Sequence, residues 1–149
     1  MITIFILLIL SLSGDEVKAR LAEFIADTKG IKYVYGKTDC SWLTKRWFNY
    51  LGLYIPRGSW LQYEYLKTQG WVETSTPEEL GLFFFKGSNP RAPKDRISHV
   101  GIVVEHFTTT YWLTYEARRY QGIDFYLRQF PHPKWPTLYL YNPKWKNSG

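Results

Sequence analysis

Cysteine is nearly absent from this chain of 149 residues, which holds a single one, Cys40. A lone cysteine excludes an internal disulfide. One cysteine and three scattered histidines (His99, His106, His132) also lack metal-ligand spacing, so no metal is expected. No Gly-rich loop of the phosphate-cradling kind is present, and no cofactor is implied. Zinc-finger spacing, an Arg-rich helix and an RNP-type aromatic strand are all missing, so nucleic acid is not an expected partner. There is no internal repeat and no low-complexity stretch. Helical and strand patterns do not alternate, which argues against a parallel βαβ fold.

What is present fits one globular domain with a proper core. Aromatic residues make up 19% of the chain, enough to line a groove as well as a core. Net charge is +6, from 19 Lys and Arg against 13 Asp and Glu, with much of the excess at Arg118, Arg119, Arg128, Lys134, Lys144 and Lys146. Such a surplus favours anionic surfaces, of which a cell envelope is one. Ile2 to Leu10 is apolar apart from Thr3, and the small residues of Ser11-Leu12-Ser13-Gly14 follow. Residues 1–13 therefore read as a signal peptide, with a buried N-terminal strand or an uncleaved anchor as alternatives. Residues 14–149 read as one domain.

Asp15 to Lys29 has helical periodicity at Val17, Leu21, Phe24, Ile25 and Thr28. Ile31 to Gly36 is short and β-rich. Thr38 or Asp39 can cap a second helix reaching Leu51, with Leu43, Trp47, Tyr50 and Leu51 as its buried stripe. Ser59 can cap a third over Trp60 to Thr68. Strands then follow at Leu82–Phe85, His99–Glu105, Tyr111–Ala117, Ile123–Leu127 and Thr137–Tyr141. The expected class is α+β, with N-terminal helices on an antiparallel sheet of about five strands.

This layout puts Cys40 at the first turn of a helix, where the dipole and free N–H groups favour a thiolate. A nucleophilic thiolate needs a base, and the base needs an orienting group. His99 opens the β run best placed to meet the Cys40 helix. His106 lies just past that strand, and His132 sits between two prolines.

The run Tyr33-Val34-Tyr35-Gly36, then Asp39-Cys40-Ser41, Leu53-Tyr54-Ile55-Pro56-Arg57, Gln62, Phe83-Phe84-Phe85 and Ser98-His99-Val100-Gly101-Ile102 resembles the NlpC/P60 family of cysteine peptidases. The order and spacing of the resemblance run from about residue 15 to about 142, nearly the whole chain. The resemblance implies a papain-like core and hydrolysis of peptidoglycan stem peptides, commonly at a D-γ-glutamyl–diamino acid bond. It implies Cys40 as nucleophile, His99 as base and Tyr33 beside the oxyanion or substrate site. Asp39 and Ser41 flank the nucleophile and are candidates for substrate contact, although Asp39 serves equally well as a plain helix cap.

Two features depart from the family pattern. The third position, usually a polar His, Asn or Gln, is Glu116, which either orients His99 or is a solvated strand residue. The usual Pro-Gly-Asp turn before the Phe-rich strand is replaced by Glu79-Leu80-Gly81-Leu82. The expected partners are a peptidoglycan peptide, an anionic envelope surface and, for a virion-borne enzyme, phage tail proteins; the expected place is secreted, periplasmic or virion-associated. An amidase or acyltransferase of the same fold and a non-catalytic envelope-binding or tail component are the other readings. The loops Gly87–Arg96 and Pro131–Pro136 are expected to wall the pocket.

Overall fold

A computed structural model describes residues 12–146. The reading of residues 1–13 as a signal peptide lies outside this range except for Leu12, which packs against the core, and Ser13. Three helices come first: α1 (Gly14–Thr28), α2 (Cys40–Tyr50) and α3 (Ser59–Thr68). The strands follow: β1 (Val72–Thr74), β2 (Leu82–Lys86), β3 (Ile97–His106), β4 (Tyr111–Arg118), β5 (Gly122–Gln129) and β6 (Thr137–Tyr141). They form one antiparallel sheet in the order β1-β6-β2-β3-β4-β5. The architecture is thus the expected α+β, with six strands rather than five.

The differences from expectation have local causes. Strand β1 has three residues, too few to show an alternating pattern, and forms only by pairing with β6. Ile31 to Gly36 is not a strand. It meets the sheet only where the Gly30 N–H donates to Ile123 O (2.8 Å) and the Ile123 N–H donates to Ile31 O (2.9 Å). It then turns at Gly36, whose φ of +75° is unfavourable for other residues. Helix α1 starts at Gly14, because the Ser13 hydroxyl accepts the Glu16 N–H. Asp39, not Thr38, caps α2. Gly58, at φ +100°, precedes α3, so Ser59 is its first residue and not its cap. On α2 the buried stripe includes Thr44 and Phe48, while Tyr50 is only half-buried.

The sheet has two apolar faces. One packs under the helices, where Phe24, Leu43, Trp47, Phe48 and Leu66 meet Leu82, Phe84, Val100, Ile102 and Tyr115. The other carries Phe83, Phe85, Val103, Phe130 and Tyr139. Alternation on β3 and β4 sends His99, Gly101 and Glu116 to this second face, while Tyr115 points back to the helices and its hydroxyl bonds Thr28 Oγ1 (2.7 Å). Gly101 is required there: a Cβ would lie 2.4 Å from the Phe83 ring and 3.0 Å from Glu116 Cβ. The departed turn before β2 closes in its own way, with Leu80 at φ +68° donating its N–H to Val103 O (2.8 Å).

Candidate active site

Cys40 is the first residue of α2 and is half-buried. The helix start is locked by Asp39. Its Oδ1 accepts from the Trp42 N–H (3.0 Å), the Ser41 hydroxyl (3.3 Å) and Arg57 Nη2 (3.0 Å), and its Oδ2 accepts the Gly36 N–H (3.1 Å). Arg57 Nε also donates to Ser41 Oγ (3.1 Å) and Arg57 Nη2 to Lys37 O (3.0 Å). Buried Gln62 donates to Ser41 O (2.9 Å) and Pro56 O (3.0 Å), tying α3 to the same turn. Asp39 is therefore a cap and an ion-pair partner. Both it and Ser41 nevertheless border the cavity described below.

His99 borders the same cavity as Cys40 and feels its side chain electrostatically. Its Nε2 is 2.8 Å from Glu116 Oε1, which leaves Nδ1 for the thiol. The imidazole stacks on Phe85, with ring centres 5.7 Å apart and planes at 20°. The other two histidines are engaged elsewhere. His106 stacks on Trp112 at 4.4 Å, and His132 stacks on Trp135 at 4.6 Å while accepting the Trp135 N–H.

Glu116 is fully buried, and both its oxygens are saturated. Oε1 accepts from His99 and from Arg128 Nη2 (2.5 Å); Oε2 accepts from Arg128 Nε (3.0 Å) and from the Thr114 hydroxyl (2.5 Å). It is not a solvated residue. Burial alone would raise its pKa, but His99 and Arg128 prevail and hold it down at about 2. Burial likewise disfavours a charged His99, yet Cys40 and Glu116 outweigh it and lift the imidazole to about 9. Tyr33 is shifted up by burial and then by the nearby Cys40 and Asp39, against Arg119.

Arg128 escapes sequence reading, where it counts only as surplus charge. It stands opposite Trp112 in the β4–β5 register and reaches along the sheet past Thr114 to Glu116. The signal would be its place two and four residues beyond Tyr126 and Asp124 on one face, but that needs the register to be known. Arg57 and Gln62 belong to the recognised blocks; their bonds to the helix start are visible only in the fold.

Tyr33, Asp39, Cys40, Ser41 and His99 line one open cavity of about 500 Å³, with Glu116 behind His99. The Gly87–Arg96 loop walls it, anchored where Ser98 Oγ accepts the Ser88 and Asn89 N–H groups (3.0 and 3.1 Å). Pro131–Pro136 does not. It lines a separate cavity with Ser75 and Tyr139, because the β5–β6 turn folds over the second face of the sheet, where Trp135 packs on Phe85. Among the described residues no group of three or more His, Cys, Asp or Glu could hold a metal.

The two shifted groups set a pH signature for stability. The raised His99 stabilises the fold fully below its ordinary 6.5, and that contribution is lost as pH rises through about 9. The lowered Glu116 stabilises above its ordinary 4.5, and that contribution is lost as pH falls through about 2. Denaturant unfolding at pH 5.5 and pH 9.5 is expected to show a loss of order 2–3 kcal/mol at the higher pH, absent in His99→Gln.

Comparison with known proteins follows the same lines. The NlpC/P60 family model matches residues 30–129. An NLP/P60-family protein from Staphylococcus aureus, described as similar to a lipoprotein, superposes with a TM-score of 0.55 at 21% identity, covering 74% of this chain and 36% of its own. NlpC1 from Trichomonas vaginalis superposes with a TM-score of 0.60 at 17% identity, covering 90% of this chain and 45% of its own. This chain thus spans less than half of either structure. Comparison with curated protein sequences gives no match.

Proposed function

The chain belongs to the NlpC/P60 family, and from that premise we propose that it is a cysteine peptidase hydrolysing peptidoglycan stem peptides at a D-γ-glutamyl–diamino acid bond. One observation carries the reading: a cysteine at a helix N-terminus, in reach of a histidine whose far nitrogen rests on a buried carboxylate. In this reading the Cys40 thiolate attacks the scissile carbonyl and the S–C bond forms. The imidazolium of His99 gives its proton to the leaving amine as the C–N bond breaks. Water, deprotonated by His99, then releases the acyl group and restores the thiol. The Cys40 N–H at the helix start is the natural oxyanion donor. Tyr33 borders the same pocket. Asp39 and Ser41 shape it through their bonds to Arg57.

The cleft's charge suits such a substrate. Arg91, Arg96 and Arg119 line it, and its carboxylate Asp39 is already paired with Arg57. A γ-linked glutamyl residue keeps a free α-carboxylate for these cations. Raising salt from 50 to 500 mM is expected to increase KM for such a peptide several-fold with kcat nearly constant. A salt-insensitive KM would remove the electrostatic part of the reading.

The place of action we propose is the cell wall, reached by export or on a virion, where the +6 charge favours the anionic envelope. Among the described residues no helix is long and apolar enough to cross a membrane. Mass spectrometry of products from purified peptidoglycan is the test. New amino groups at a stem-peptide bond support the peptidase. A released amide or a transferred acyl group would instead indicate the amidase or acyltransferase, and intact peptidoglycan a binding component.

A further inference from the structure

A carboxylate behind a catalytic imidazole poses a physical problem that an amide in the same place would not. Fully buried and alone, it would take up a proton, become a donor and lose its grip on the imidazole N–H. Glu116 is fully buried, yet every one of its acceptor positions is filled, two of them by Arg128. Arg128 is itself nearly buried, and its guanidinium sits 5.0 Å above the centre of the Phe85 ring, the ring on which His99 stacks. It thus touches both the carboxylate that His99 bonds and the platform that His99 lies on.

We infer that Glu116 and Arg128 work as one unit, in which Arg128 is a positioning residue that keeps Glu116 anionic and clamped so that it can orient His99. The inference rests on reading Cys40 and His99 as the reacting pair. The planar fork of Arg128 spans both carboxylate oxygens, which fixes the carboxylate plane as well as its charge. Cys40 from α2 and Glu116 from β4 act directly on the imidazole, and Arg128 from β5 reaches it through Glu116 and the Phe85 ring. Arg118, Tyr126 and His132 lie further out and feel the same pair. With Cys40 as thiolate and His99 protonated, the four groups alternate in sign and sum to zero.

The two members fail in different ways. Removing the anion leaves Arg128 as an uncompensated cation behind the imidazole; removing the cation lets the buried Glu116 take up a proton and release the imidazole N–H. NMR titration of the His99 ring should therefore give a pKa lower by at least one unit in Glu116→Gln and lower by a smaller amount in Arg128→Met. In Glu116→Gln/Arg128→Met the value should exceed that of Glu116→Gln alone, and so should the melting temperature. On a stem peptide, kcat/KM should fall about 100-fold in Glu116→Gln and recover at least 10-fold in the double variant. Arg128→Lys, which keeps the charge without the fork, should hold the His99 pKa within a few tenths while kcat/KM falls several-fold.

A wild-type His99 pKa in Arg128→Met, or a double variant no better than Glu116→Gln in both readouts, would overturn the coupling. If Arg128→Met does not fold, Arg128→Lys decides: unchanged kcat/KM would reject the clamp. Absence of hydrolysis in the wild type itself would instead reject the reading of the site, while the titrations would still report on the pair.

Discussion

Replacing Cys40 with alanine is expected to lower kcat/KM on a stem peptide by about 10⁴–10⁶-fold while leaving the unfolding midpoint within about 0.5 kcal/mol of wild type. The two halves of this result have different causes. In the proposed reading the thiol, the chain's one cysteine, is the nucleophile, and without it neither His99 nor the oxyanion donor has an acyl group to act on. The side chain is small and half-buried, and the start of α2 is held by Asp39, Arg57 and Gln62 rather than by sulfur. Steady-state hydrolysis and chemical denaturation of the same preparations check both halves. Full activity in Cys40→Ala would end the nucleophile assignment.

Trp47→Ala should do the reverse. Trp47 lies two turns further along the same helix, fully buried, with its ring 5.3 Å from that of Phe24. Deleting so large a side chain from a packed core costs roughly 3–5 kcal/mol. For a domain of this size that corresponds to a melting temperature lower by about 8–16 °C. The first turn of α2 is secured by its own hydrogen bonds, so kcat/KM per folded molecule should stay within about 10-fold of wild type. Calorimetry and activity assays below the transition test this. A small change in melting temperature would mean that α2 is not fixed to the sheet through Trp47. The two variants together separate the chemistry of α2 from its packing.

How far the sequence could lead is clear from individual residues. The caps and apolar periodicity of α1 and α2 are local properties, so those helices and Asp39 as a cap can be read from short stretches. Strands β2 to β6 show in alternation or in the Phe-rich run, and β1 does not, because three residues carry no period. Tyr33 and Tyr35 have strand-forming chemistry, but the segment is bent by Gly36 and by the Asp39 side chain that takes the Gly36 N–H. Cys40 and His99 can be singled out from the helix start and the β run, and Glu116 by its place in the resemblance; the structure puts Cys40 and His99 on one cavity with Glu116 behind His99. Arg128 does not, because its role depends on the register of β4 against β5 and on a side chain reaching along the sheet. Gly101 is similar: its need arises from Phe83 and Glu116, which are far from it in sequence. What is missing from the sequence is therefore mostly pairwise geometry between strands.

The most direct test of Cys40 as a peptidase nucleophile is labelling with a stem-peptide analogue bearing a chloromethyl ketone at the D-γ-glutamyl carbonyl. Since the chain has one cysteine, intact mass gives the stoichiometry and peptide mapping gives the site. The account predicts one adduct per protein on Cys40, formed at least 100-fold faster than on free glutathione and slowed strongly in His99→Ala. Labelling no faster than glutathione, or equally fast without His99, would contradict it.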